Sequence, residues 1–202
     1  MQCEIHHAAG GRYQSLAQEW HGATVEPPFH FRFHVEGQAL VFRVQRAAPA
    51  CIHPQAVPGA WQQELWRYDV TEFFIATADA SRYLEFNLCP NGAWWAAGFT
   101  DPRVPLPGFD ARELAPATMG KLTPTGWECE ARLPLPFLRL RGWELANCRM
   151  AACAVLCREG RYTYLTTCEQ RAGKPDFHHP WDWEAPQLTP ELLRPSPFAP
   201  RP

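Results

Sequence analysis

Long apolar runs are missing from this sequence. No segment approaches the ~18 apolar residues needed to span a bilayer, and the opening stretch Met1-Gln2-Cys3-Glu4-Ile5-His6-His7 holds neither a basic leader nor an apolar stretch of secretory length. The expectation is a soluble, cytoplasmic chain with no membrane partner. An excess of one charge is missing too: 19 basic and 21 acidic residues give a formal charge of -2. No run of like charges is long enough to follow a phosphate backbone, which argues against nucleic acid as a partner. None of the eight cysteines forms a C-x-x-C pair, so they read as thiols of a reducing compartment, with Cys148, Cys153 and Cys157 as small apolar fillers of a buried strand. A G-x-S-x-G elbow, a Walker loop, an H-E-x-x-H helix and internal repeats are absent, which removes the catalytic routes those motifs serve.

What the sequence does hold is 202 residues at 46% hydrophobic content, enough for one domain that removes roughly two-thirds of its unfolded surface from water. Pro and Gly punctuate short pieces rich in Phe, Trp, Tyr, Val and Thr, with a period near two. In Phe29-His30-Phe31-Arg32-Phe33-His34-Val35 the apolar positions are all odd, as a half-buried strand requires, and Glu36-Gly37-Gln38 turns the chain into a return strand over residues 40–45. Leu65 to Ile75 and Tyr83 to Leu88 read as the centre of a sheet, and Trp94 to Phe99 follows the turn Pro90-Asn91-Gly92. Five prolines between residues 101 and 126 predict a long surface excursion rather than sheet. Trp127 to Leu133, a single helical turn before Trp143, and a final hairpin joined at Glu159-Gly160 complete the pattern. The predicted fold is all-β, an antiparallel, jelly-roll-like sandwich of about ten to fourteen strands over residues 1–180, with 181–202 as a Pro-rich strap or tail.

Three separated blocks carry a family pattern. They are Glu64-Leu65-Trp66-Arg67-Tyr68-Asp69-Val70-Thr71-Glu72-Phe73-Phe74-Ile75, then Tyr83-Leu84-Glu85-Phe86-Asn87-Leu88-Cys89-Pro90-Asn91-Gly92-Ala93-Trp94, and near the end Lys174-Pro175-Asp176-Phe177-His178-His179-Pro180. In this order they resemble the DOMON-like proteins related to family-nine carbohydrate-binding modules, over approximately residues 29–180. The resemblance implies a jelly-roll-like β-sandwich with a saccharide site in a shallow aromatic cleft. It also implies a structural latch at Asp176 and His178, with Phe177 packing beside them.

The residues themselves supply a candidate polar patch. In an extended 65–75 segment, Trp66, Tyr68, Val70, Glu72 and Phe74 share a face, and Tyr83, Glu85 and Asn87 share another on the neighbouring strand. Hydroxyls of a pyranose call for such acceptors and donors while its C–H face lies on an indole, so Trp66, Glu72, Glu85, Asn87 and Trp94 are the candidate ligand-binding residues for a small saccharide. Trp61 and Trp95 are extra rings that line the same cleft or pack elsewhere. Competing readings are a structural network of Glu72 and Glu85 with arginines such as Arg149 or Arg82, a glycosidase using the two carboxyls, a haem held by Met119 or Met150 with His178 or another His, and a protein partner docked on the Pro-rich tail or the sandwich face. No metal ligand set and no catalytic residue is assigned; the principal reading is non-catalytic, without a cofactor.

Overall fold

The computed structural model describes residues 1–7, 11–169 and 173–193. Thirteen strands lie among them: β1 (Glu4–His7), β2 (Gln14–Gln18), β3 (Thr24–Glu36), β4 (Ala39–Arg46), β5 (Val70–Thr77), β6 (Tyr83–Leu88) and β7 (Trp94–Asp101). The remainder are β8 (Val104–Pro105), β9 (Ala117–Thr123), β10 (Gly126–Pro134), β11 (Cys148–Arg158), β12 (Arg161–Thr166) and β13 (Gln187–Leu188). One short helix, α1 (Leu135–Leu140), sits where the single turn was expected.

The strands form two sheets. The seven-stranded sheet runs β13-β1-β3-β4-β10-β9 with β2 also paired to β3, and the six-stranded sheet runs β12-β11-β5-β6-β7-β8. Pairing is antiparallel except at β1, which runs parallel to both β3 and β13. β5 and β6 occupy the middle of their sheet, as the sequence predicts.

Alternation decides which side chains fill the sandwich. Phe29, Phe31 and Phe33 turn inward from β3, and Phe33 stacks on Phe42 of β4 at 4.7 Å. From the other sheet, Phe73 meets both edge to face, at 5.5 and 5.3 Å. Each fully buried Phe contributes roughly 1.5–3 kcal/mol, so this aromatic junction is one of the places where the two sheets adhere. The β3–β4 hairpin closes through Gly37 at φ 59°, a conformation that L side chains disfavour, in the two-residue turn between Glu36 and Ala39.

The expected excursion over residues 101–126 is a surface path only in part. Its prolines bracket a seven-residue, proline-free stretch that becomes β9, an edge strand with β10 as its single neighbour. β9 also holds the two sheets together at one end. Thr118 Oγ1 donates to Gly92 O at 2.6 Å, and a Cβ on Gly120 would lie 2.3 Å from the Pro90 carbonyl oxygen, so only glycine lets the β6–β7 turn approach this closely.

Residues 181–184 cover the outer face of the six-stranded sheet, and the chain then reaches the seven-stranded sheet through β13. Trp183 is fully buried against Phe74 and Tyr83, and β13 pairs with β1. The rest of the predicted strap, 194–202, lies outside the described residues. All eight cysteines are free thiols, and burial pushes those at Cys3 and Cys148 up to about 12.

Candidate ligand cleft

The outer face of the six-stranded sheet is where the polar patch emerges. In β5 the inward residues are Thr71, Phe73 and Ile75, which leaves Val70, Glu72 and Phe74 outward; in β6 Leu84, Phe86 and Leu88 point in and Tyr83, Glu85 and Asn87 point out. Glu72 stands directly opposite Asn87, so Glu85, two residues along, is its diagonal neighbour on the same face. Over them opens a cleft of about 440 Å³ whose walls include Trp66, Trp95, Phe99, Tyr164 and Phe177, with Arg103, Asp176 and His178 at one end.

Trp66 reaches this cleft by a different route from the one predicted. The segment 65–67 is a 3-10 turn and the strand begins only at Val70, because Glu64 enters the turn at φ 62° and reverses the chain. The indole of Trp66, 38% exposed, meets that of Trp95 edge to face at 5.2 Å and 68°. Trp94 is a correction. It stands opposite Leu88 and therefore inside the sandwich, stacked on Phe86 at 6.1 Å with Nε1 donating to Gly59 O. The cleft ring is its neighbour Trp95, opposite Asn87. Counting the β6–β7 hairpin outward from its turn at 89–93 is the signal that separates the two rings. Trp61 packs elsewhere, beneath the Arg112 guanidinium at 4.7 Å.

Asn87 is a second correction. It is fully buried below the cleft floor, where Nδ2 donates to Glu85 Oε1 at 3.1 Å, so it orients the carboxyl and does not face a ligand. Glu72 and Glu85 are 3% and 6% exposed, and neither meets an arginine. Arg149 gives its guanidinium to the carbonyls of Ala78, Trp181 and Trp183, and the Arg82 guanidinium lies beside Gly142, so the predicted Arg–Glu network is not formed. Burial pushes Glu85 up to about 7, and burial together with Glu85 raises Glu72 well above the ordinary carboxylate range. Among the described residues Glu72 has no hydrogen-bond partner.

Asp176 and His178 close one end of the cleft. Both Arg103 terminal nitrogens donate to Asp176, at 3.0 and 2.8 Å, and the His178 amide donates to the same carboxylate at 2.9 Å. The Arg103 amide donates to the Tyr83 hydroxyl at 3.1 Å, and that hydroxyl has two acceptors in reach, His178 Nδ1 at 2.8 Å and the Asp101 carbonyl oxygen at 3.5 Å, of which the imidazole is the nearer. Burial, then the Arg103 charge, lowers His178 to about 4, so the imidazole is neutral and accepts at Nδ1. Its Nε2 proton then faces Glu85 Oε2, 3.5 Å away. Arg103 and Tyr83, which hold these two side chains, carried no assignment in the sequence. Met150 packs in the core on the far side of the sheet and Met119 is exposed on β9, so neither thioether is brought to His178.

No family model matches the sequence. Over 81 residues the chain is 35% identical to the UPF0462 protein C4orf33 homolog of Rattus norvegicus, a match covering 40% of this chain and 39% of that protein. In structure, the chain resembles a carbohydrate binding module family 9 of Caldicellulosiruptor kristjanssonii in complex with cellotriose, at TM-score 0.66 and 12% identity, covering 100% of this chain and 98% of that one. The fold is that of the family-nine carbohydrate-binding modules. A second structure from the same organism, a family 9 module in complex with glucose, matches at TM-score 0.57 and 12% identity over 92% of this chain and 96% of that one. The β-sandwich expected from the three sequence blocks is therefore present.

Proposed function

We propose that this protein binds a small saccharide, without breaking a bond, in the cleft over β5 and β6. The observation that carries the reading is the pairing of chemistries in one hollow: indole and phenol rings from Trp66, Trp95 and Tyr164 as walls, and two buried carboxyls with spare hydrogen-bonding capacity as floor. A pyranose has a C–H face that packs on an indole and a rim of hydroxyls that both donate and accept. With Glu85 titrating at about 7, the carboxyl pair offers an acid proton and lone pairs together near neutral pH. The saccharides named with the two Caldicellulosiruptor modules, cellotriose and glucose, support the choice of ligand class.

Isothermal titration with glucose and cellotriose tests the reading. Saturable binding is expected, weakened about tenfold or more in Trp95→Ala as its stacking partner is lost, with the circular dichroism spectrum retained. No binding of either sugar, or equal affinity in the wild type and Trp95→Ala, overturns it.

A further inference from the structure

Three other buried or half-buried carboxylates show how this chain treats an acid it needs only for structure. Asp69 is fully buried and accepts from the amides of Cys51 and Cys157 and from the Arg158 guanidinium. Glu130, 6% exposed, lies between Arg43 and Arg132. Asp176 takes a two-pronged bond from Arg103. Glu72 and Glu85 are buried as deeply as Glu130 and meet no cation. Burying an unmatched carboxylate is costly, and the one arginine at the cleft among the described residues, Arg103, acts on Glu85 without an ion pair to it and gives its own bonds to Asp176.

We infer that the missing cation is supplied by the ligand: the cleft takes a sugar bearing a protonated amine, of the 2-amino-2-deoxyhexose class, with its ammonium seated between Glu72 and Glu85. This inference deepens the saccharide reading and rests on it. The geometry suits the charge. The two carboxyls are diagonal neighbours on adjacent strands and close enough for each to act on the other, so an ammonium can donate to one oxygen of each through charge-assisted N–H···O bonds of about 2.7–2.9 Å. Trp66 and Trp95 stand beside it, and an indole face attracts a cation that it would not distinguish in a neutral hydroxyl.

Apart from the Arg103 charge, which acts on Glu85 without pairing to it, the other groups facing the pair carry no positive charge. From β6 and the closing segment come the neutral His178 ring and the Tyr83 phenol, which burial pushes up to about 12; from β11 and β12 come the Cys153 thiol and the Tyr164 phenol. Arg103, the one arginine lining the cleft among the described residues, is held by Asp176. When the ammonium arrives below neutral pH, it replaces a carboxyl proton, which leaves for solvent as the two N–H···O contacts form.

The experiment titrates the full chain with glucosamine, glucose and N-acetylglucosamine, at pH 6 in two buffers of different ionisation enthalpy. Glucosamine is expected to bind about tenfold or more tightly than glucose and to release about one proton, while glucose and the neutral N-acetyl sugar release none. Glu72→Gln should reduce the glucosamine preference to about threefold or less, with Glu85 left as the one carboxyl able to release a proton. The wild-type proton count stands by itself if that variant does not fold. Equal affinity for glucose and glucosamine with no proton release overturns the ammonium site and leaves saccharide binding standing. Failure of all three sugars overturns both. Binding of glucosamine alone upholds the ammonium site and overturns neutral-sugar binding, the form of the saccharide reading that glucose and cellotriose test.

Discussion

Each sheet turns a polar face outward, and the two faces treat their acids in opposite ways. On the seven-stranded sheet, Glu130 is bracketed by Arg43 and Arg132, and Arg132 reaches on to Glu36 at 2.9 Å, so charge is matched link by link. On the six-stranded sheet, Glu72 and Glu85 have a single amide donor between them, from Asn87, and a neutral imidazole 3.5 Å away. Burial is alike in the two places; partnering is not. The first face is finished as it stands, whereas the second holds hydrogen-bonding capacity in reserve, at the bottom of the aromatic cleft.

The adjacent tryptophans give the hardest test of that contrast. Trp94 belongs to the finished interior and Trp95 to the open cleft, so Trp94→Ala should cost about 3–5 kcal/mol and Trp95→Ala about 1 kcal/mol or less in urea unfolding. Equal losses would mean that the cleft ring is core. Asp69→Ala comes next: it strands two amide N–H groups and frees Arg158, for an expected loss of about 3 kcal/mol with sugar affinity unchanged, read from the same unfolding curves and a glucose titration.

The smallest effect is a pH slope. Because folding raises Glu85 from its ordinary 4.5 to about 7, its contribution to stability is full below about 4.5 and is lost as pH rises through about 7. His178, lowered to about 4, works in the opposite direction between that value and its ordinary 6.5, so the wild type should be compared with Glu85→Gln, in which His178 is retained. From pH 4.5 to 8 the wild type should lose on the order of 2–3 kcal/mol relative to the variant. Parallel curves would mean that the carboxyl is well solvated, and the difference between the two faces would disappear.

Much of this was legible beforehand, for identifiable reasons. Period-two alternation in 29–35 and 83–88 named the inward residues, because a strand has only two faces and water selects between them. Glu72 and Glu85 were placed on one side of one sheet by the same count. Trp66 was assigned to the cleft from an extended 65–75 segment, which the left-handed Glu64 and the turn after it interrupt. Trp94 was carried over from a family position without counting through the 89–93 turn, and that single-residue step exchanges inside for outside. Asn87 shares the right face but is covered by its neighbours, and composition gives no signal for that. β9 was hidden because five prolines drew attention from the seven proline-free residues between two of them.

The sequence alone determined the class of fold and the face on which the acids emerge, since both follow from the alternation of apolar side chains against water along each strand. Tertiary structure decided whether those acids would be neutralised. That outcome depends on which distant segments cross the sheet: residues 175–178 bring Asp176 to occupy Arg103 and lay His178 beside Glu85, more than 70 positions away in the chain, at distances no local pattern encodes.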